Sequence, residues 1–306
     1  MHVGFIGLGA MGKPMARNLL AAGFSLAVYD IAPPAVAELA DAGAFTAASP
    51  AELAARCDVI ITMLPNADIV EETLRGPAGV FTGAREGRLV VDMSSVDPAS
   101  SRRMAAIAAA KGIGYVDAPV SGGTAGAAGG TLTIMAGGAD ADVARAMPLF
   151  LVLGKNIRHL GGVGSGDAIK MVNNLLLGVN MAALAEALVL GVKSGLSAET
   201  MLTVIGESSG ASYALKCKLP TFIMEGRFEP GFAVDLQYKD LELAVASAKR
   251  ERLPLPVTAA AQQVYELARA EGFGRADISA IVKVWERLAG VTVRKAQGDG
   301  HGCGDA

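Results

Sequence analysis

Residues 164–174 read GSGDAIKMVNN, and Lys170, Asn173 and Asn174 stand there with side chains that can react or bind. They lie near the start of a run, 165–194, that is mostly apolar and helix-forming. On a helix Lys170 and Asn174 are i and i+4 and share one face, with Asn173 beside that stripe at i+3. An ammonium near a helix N-terminus lies where the macrodipole disfavours positive charge, and partial burial acts in the same direction. Both influences lower a pKa that starts near ~10.4. A lysine tuned in this way can take a proton from a hydroxyl, or return one to a carbonyl while stabilising alkoxide charge. A single lysine at a helix start is also readable as a snorkelling side chain, and the two amides as polar packing contacts. These residues alone leave that choice open.

Other stretches carry recognisable binding chemistry. Gly7-Leu8-Gly9-Ala10-Met11-Gly12 matches GxGxxG. It follows a strand-like run (2–7), opens a helical one (11–23), and is followed by Asp30 at the end of the next strand. That is the context a dinucleotide fingerprint requires. Gly7 allows the tight turn, Gly9 the approach of a pyrophosphate, and Gly12 close packing of helix on strand, while the helix N-terminus offers free N–H groups to phosphate. The Asp30 carboxylate suits an adenosine ribose and repels a 2′-phosphate, and Ile31 and Ala32 bring no arginine, so NAD is favoured over NADP. Met63-Leu64-Pro65 and Ser94-Ser95 end later strands, where ligands bind in such sheets. The two serines read equally well as helix caps before Pro98. In DAPVSGG (117–123), Ser121, Gly122 and Gly123 can form an anion nest for a small carboxylate; a glycine-rich surface turn is the alternative. Lys239-Asp240 is either a solvated ion pair or, facing a cleft, a lysine that secures a carboxylate or cofactor with Asp240 orienting it.

The elements that would position these residues fall into two groups. Apolar strand patterns at 2–7, 25–30, 58–65, 88–95, 113–120 and 131–138 alternate with helical ones at 11–23, 33–43, 50–56, 67–74 and 98–111. That alternation predicts an α/β Rossmann-type, doubly wound, mostly parallel sheet. After about 162 only helical patterns follow: 165–194, 197–206, 211–224, 235–252, 256–271 and 277–290. We therefore expect a dinucleotide-binding domain over 1–162, an all-helical domain over 163–296, and a loose tail over 297–306. With 306 residues, two domains are also what length suggests.

Composition narrows the function. Net charge is −3 with no basic run, so nucleic acid is not an expected partner. Cys57, Cys217 and Cys303 are scattered, and His2, His159 and His301 form no motif, so neither a disulfide framework nor a metal site is expected. The run 168–192 is long enough to cross a bilayer, for which ~20 apolar residues suffice. It carries Lys170, Asn173, Asn174, Asn180 and Glu186, which are costly there, so we expect a helix surrounded by protein and no membrane. The N-terminus enters a strand at once without a secretory pattern, and a cytoplasmic location is expected. The apolar helices suggest a homodimer or homotetramer.

Four blocks in order, GFIGLGAMGKPMARNL (4–19), DAPVSGGTAGAAGGTL (117–132), GSGDAIKMVNN (164–174) and KDLELA (239–244), resemble the β-hydroxyacid dehydrogenase family over about residues 1–290. The resemblance implies a Rossmann-type domain followed by a helical domain for substrate and dimerisation, joined by a long interdomain helix, in an oxidoreductase that uses NAD or NADP, without metal, on a small carboxylate. It implies substrate binding by Ser121, Gly122 and Gly123, a catalytic Lys170 with Asn174 beside it, and a second lysine, Lys239, near cofactor and substrate. It implies an aromatic that closes the site, for which Phe232 is the candidate, and Ser95 stands where many members have threonine. Asn173 is left without an assigned role. The short interval between 216 and 231 and the run DMSSVDP (92–98) look more like tartronate semialdehyde (2-hydroxy-3-oxopropionate) reductases than 3-hydroxyisobutyrate dehydrogenases. Succinic semialdehyde reductase is a further alternative. Lys170 argues against an imine reductase, and against a different class altogether, a non-catalytic dinucleotide-binding interaction domain.

Overall fold

The computed structural model describes residues 1–229 and 231–295, so the expected tail, 297–306, lies outside the described residues. The chain forms two compact units, Met1–Val172 and a second that begins at Asn173.

In the first unit, β1 (His2–Ile6), β2 (Ser25–Tyr29), β3 (Phe45–Thr46), β4 (Val59–Thr62), β5 (Leu89–Asp92) and β6 (Gly114–Asp117) form one sheet in the order β3-β2-β1-β4-β5-β6. Every pairing in it is parallel. The connections run through α1 (Gly12–Ala21), α2 (Pro33–Asp41), α3 (Pro50–Arg56), α4 (Ala67–Arg75), α5 (Val80–Gly83) and α6 (Pro98–Ala109). The strands are continuous apolar runs because both faces are covered. Phe5, Val28, Ile61 and Val91 enter one buried core, and the alternate residues Ile6, Ala27, Ile60 and Val90 enter another. The strand order reverses at β1, so β1, β2 and β4 surround the switch point at which such sheets bind ligands.

The strand expected over 113–120 is divided. β6 stops at Asp117, and Pro119, which has no N–H to donate, leads into β7 (Val120–Ser121) of a second sheet. There β7 pairs antiparallel with β8 (Leu132–Ala136), and β8 pairs parallel with β9 (Gly154–His159). The glycine-rich run between them is α7 (Gly123–Gly129), and α8 (Asp140–Leu153) precedes β9. The sequence reading has no element at α8 or β9. Pro148 sits inside α8 and blurs its period, and β9 shows no apolar alternation.

Strand signals end near 162, yet the units divide at Val172, inside α9 (Ser165–Lys193). The first turns of that helix stay with the sheet unit because side chains of that unit hold them, as described below. In the second unit the remainder of α9 is followed by α10 (Ala198–Gly206), a π-helical segment (Ala214–Ile223), α11 (Val234–Arg250), α12 (Pro256–Ala270), a short 3-10 turn (Ile278–Ile281) and α13 (Val282–Ala289). The π-helical segment replaces part of the helix expected over 211–224. It contains Pro220, which cannot donate to a regular α ladder. Met181, Ala185 and Leu188 of α9 form the core of this unit with Leu215, Leu241 and Tyr265. Gly178 lets α9 and α11 approach, since a Cβ there would stand 2.6 Å from Gln237 Nε2. The expectation that protein surrounds α9 is not met within one chain: 39% of its most apolar window is buried, and Leu176 and Leu190 are 54% and 68% exposed.

Candidate active site

Candidate residues gather in two groups, one in each unit. The first begins at the glycine turn after β1. Gly7 N–H donates to Tyr29 O at 3.1 Å, and Leu8 N–H donates to Asp30 Oδ2 at 2.5 Å. Asp30 Oδ1 accepts Ala32 N–H at 2.7 Å. A Cβ on Gly12 would lie 1.9 Å from Gly7 O, whereas one on Gly9 would meet nothing within 4 Å. Gly12 is thus required for packing, and Gly9 leaves its outer side open. The first turn of α1 carries no acidic residue, so nothing there opposes a phosphate at the helix N-terminus. These features fit a dinucleotide pyrophosphate at Gly7–Gly12. Asp30 braces the turn, and its carboxylate oxygens keep lone pairs for a ribose hydroxyl.

The later strand ends lie beside this turn. Met63 N–H donates to Ile6 O at 2.9 Å, and Leu64 N–H donates to Ser94 Oγ at 2.9 Å. Ser94 N–H and Thr62 Oγ1 both donate to Asp92 Oδ1, at 3.0 and 2.8 Å. Ser94 therefore fixes the Met63–Pro65 turn from below. The cap reading of Ser94 and Ser95 is corrected, since the N-cap of α6 is Asp97, which accepts Ser100 N–H at 3.3 Å. Ser95 is half-buried just after this strand end.

After β6 the chain reaches Ser121, Gly122 and Gly123. The two glycines have φ of +136° and +62°, conformations that side chains resist, and α7 starts there. Successive N–H groups in such a turn can face an anion. Asp117, at the head of the same run, reaches the other way. Its Oδ1 accepts Gly164 N–H at 2.7 Å and its Oδ2 accepts Asp167 N–H at 2.9 Å. Ser101 Oγ donates to Asp167 Oδ2 at 2.6 Å. Burial holds the Asp167 carboxyl well above the usual carboxylate range, and the adjacent Asp117 charge acts in the same direction. Burial also raises Asp117, against the two N–H groups that favour its charge. Lys170 follows Asp167 by three residues and is half-buried.

The second group is built on α9 and α11. Asn174 is buried. Its Nδ2 donates to Asp240 Oδ2, its Oδ1 accepts Asn173 Nδ2 at 3.0 Å, and its backbone carbonyl accepts Gln237 Nε2 at 2.8 Å. Asp240 Oδ1 lies 3.3 Å from Lys239 Nζ, so one buried carboxylate serves both Asn174 and Lys239. Asn173, exposed itself, helps to orient the amide of Asn174. Phe232 stands two residues before α11. Its N–H donates to Asp277 Oδ2 at 3.0 Å, and its carbonyl accepts Ile278 N–H at 2.8 Å. Asp277 is buried and paired with Lys218 at 2.7 Å. Sequence reasoning missed Asp117, Asp167, Ser101, Gln237 and Asp277 as supports. Only Asp117 carried a signal, a carboxylate at a strand end ahead of a glycine turn.

This architecture, a parallel nucleotide-type sheet with a glycine turn at its switch point, together with a second, helical unit, defines a dinucleotide-dependent oxidoreductase. Residues 2–161 match the family described as the NAD binding domain of 6-phosphogluconate dehydrogenase. Residues 164–285 match the one described as NAD-binding of NADP-dependent 3-hydroxyisobutyrate dehydrogenase. The chain is 55% identical over 297 residues to 2-(hydroxymethyl)glutarate dehydrogenase of Eubacterium barkeri, covering 97% of this chain and 99% of that one. It is 38% identical to the human mitochondrial 3-hydroxyisobutyrate dehydrogenase, covering 91% of this chain and 85% of that one. Among solved structures, Mycobacterium tuberculosis 3-hydroxyisobutyrate dehydrogenase with L-serine superposes with a TM-score of 0.85 at 35% identity, covering 92% and 98% of the two chains. The chain belongs to the β-hydroxyacid dehydrogenase family.

Proposed function

We propose that this enzyme is an NAD-dependent dehydrogenase of a short carboxylic acid with a β-hydroxyl group, and that 2-(hydroxymethyl)glutarate is its foremost candidate substrate. The 55% identity to an enzyme named for that substrate, over nearly the whole of both chains, carries this choice. Tartronate semialdehyde, the candidate suggested by the DMSSVDP run and the short 216–231 interval, takes second place, followed by 3-hydroxyisobutyrate and succinic semialdehyde. The preference for NAD rests on Asp30 and on the neighbours Ile31 and Ala32, which bring no cation for a 2′-phosphate.

When bound, the nicotinamide ring supplies the acceptor or donor of hydride. Gly7–Gly12 and Asp30 hold the pyrophosphate and ribose, and Met63, Leu64, Pro65 and Ser95 border the rest of the cofactor. Ser121, Gly122 and Gly123 hold the substrate carboxylate through a hydroxyl and backbone N–H groups. Lys170 Nζ takes the hydroxyl proton as the carbinol C–H leaves as hydride, and the product is the aldehyde. In reverse, the ammonium gives that proton back to the carbonyl oxygen. Asn174, one helical turn on and held by Asp240, donates to the same oxygen, while Lys239 secures the carboxylate or cofactor and Phe232 covers the substrate. The exposed apolar residues Leu176 and Leu190 of α9 support self-association of this enzyme, and size-exclusion chromatography with light scattering distinguishes a dimer or tetramer from a monomer.

The experiment is a panel of hydroxyacids and semialdehydes, followed by nicotinamide absorbance with NAD(H) and NADP(H). The expected outcome is highest kcat/KM for 2-(hydroxymethyl)glutarate with NAD. Better turnover of tartronate semialdehyde overturns the substrate, and better turnover with NADP overturns the reading of Asp30.

A further inference from the structure

The helix that carries Lys170 does not cap itself. Asp117, 47 and 50 residues earlier than its partners, gives Oδ1 to Gly164 N–H at 2.7 Å and Oδ2 to Asp167 N–H at 2.9 Å. Both oxygens are used on the start of α9, and a carboxylate there also complements the helix dipole. Asp117 itself cannot slide along its strand. Its N–H donates to Gly137 O at 3.0 Å and its carbonyl accepts Gly137 N–H at 2.7 Å. The fit is tight enough to demand glycine on the other side. A Cβ on Gly166 would stand 2.1 Å from Met135 O and 2.9 Å from Asp117 Oδ2, and one on Gly137 would stand 2.6 Å from Asp117 Oδ1. Ser101 adds a second tie, from α6 to Asp167 Oδ2 at 2.6 Å. Asp117 also lies four residues ahead of Ser121, at the head of the glycine turn.

We propose that Asp117, assisted by Ser101, is a positioning residue that fixes the Lys170 turn of α9 against the Ser121–Gly123 loop. Proton acceptor and carboxylate cradle then keep one spacing, and this requirement explains why the run 117–123 begins with aspartate. The inference rests on the proton-transfer role of Lys170 proposed above. A misplacement of ~1 Å can cost ~10²-fold in rate without disturbing the binding of either reactant.

The test compares Asp117→Asn and Ser101→Ala with Lys170→Ala, all as the full chain. The asparagine keeps the shape of the side chain but turns a donor toward one of the two N–H groups. We expect kcat of Asp117→Asn to fall about a hundredfold, NAD(H) affinity to be retained, and the primary deuterium isotope effect on kcat to rise as hydride transfer slows. Ser101→Ala changes kcat in the same direction by less. Glu286→Gln is the control for mere loss of a buried carboxylate. Glu286 Oε1 accepts Val293 N–H at 2.7 Å and Arg294 Nη1 at 3.0 Å, and its loss lowers stability with kcat and isotope effect unchanged. Parental kcat and isotope effect in folded Asp117→Asn overturn the inference. Should that variant not fold, parental values in Ser101→Ala do so. Full turnover by Lys170→Ala sinks the functional reading instead. Lost turnover there, with parental turnover in the other two, sinks only the positioning role.

Discussion

Asn174 Nδ2 donates to Oδ2 of the buried Asp240, and the other oxygen of that carboxylate lies 3.3 Å from Lys239 Nζ. The carboxylate settles which end of the amide is the donor, since an oxygen facing it would be repelled. Asn173 then donates to the remaining amide oxygen at 3.0 Å. An asparagine on a mostly apolar helix is thereby held in one orientation, with its partners on α11 and at its own neighbour.

Asp240→Asn tests that arrangement. An amide cannot accept from Asn174 and balance the charge of Lys239 at once. A hydrogen bond involving a charged group is worth about 1.5–3 kcal/mol, so kcat/KM is expected to fall by about ten- to a hundredfold. The check is steady-state kinetics with NAD(H) at saturation, and an unchanged kcat/KM contradicts it.

Gly12→Ala tests the dinucleotide turn. The added Cβ would stand 1.9 Å from Gly7 O, a backbone atom that cannot give way without opening the turn. Overpacking costs about 1–3 kcal/mol, and here the strain falls on the turn proposed to receive the pyrophosphate. Titration of nicotinamide fluorescence is expected to show NADH affinity weakened tenfold or more, and parental affinity contradicts the role of Gly12.

Asp167 makes stability depend on pH. Its carboxyl ionises near the ordinary 3.8 in the unfolded chain and well above that in the fold, because burial and the charge of Asp117 disfavour its ionised form. Between the two values the unfolded chain has released a proton that the folded chain keeps. Its stabilising contribution is therefore complete below the unfolded value and is lost as pH rises through the folded one. Asp167→Asn cannot ionise and is expected to flatten this decline. Urea midpoints measured between about pH 5 and 8 provide the check, and equal slopes in parent and variant contradict it.

Much of this was legible in the sequence because single residues carried it. The glycine turn, Asp30 and the apolar strands follow from backbone conformation and two-sided burial, which are local signals. Lys170, Asn174 and Lys239 stood out as polar groups in blocks with family-like spacing. The supports were mostly not legible: Ser101 and Asp277 act on residues far along the chain, and although Asp117 stood at a strand end ahead of a glycine turn, a carboxylate that caps a distant helix looks the same in sequence as one facing solvent. The division of 113–120 into strands of two sheets was hidden for a related reason: an apolar run does not say which neighbours it pairs with.

Cys57 is expected to resist alkylation in the native enzyme. It is 1% exposed, and burial, with the charge of Asp58 acting in the same direction, pushes its thiol up to about 11. Only about one part in a thousand is thiolate at pH 8. Mass-spectrometric mapping after iodoacetamide treatment at that pH should find Cys57 unmodified until the fold is opened, and rapid native labelling contradicts its burial.

The central claim is that Lys170 carries the proton. Its most direct test is single-turnover oxidation of 2-(hydroxymethyl)glutarate by Lys170→Ala with saturating NAD, alongside NADH binding by the same protein. The account predicts NADH affinity near that of the parent and turnover lowered by ~10²-fold or more. Turnover near the parental rate, with the cofactor bound, contradicts it.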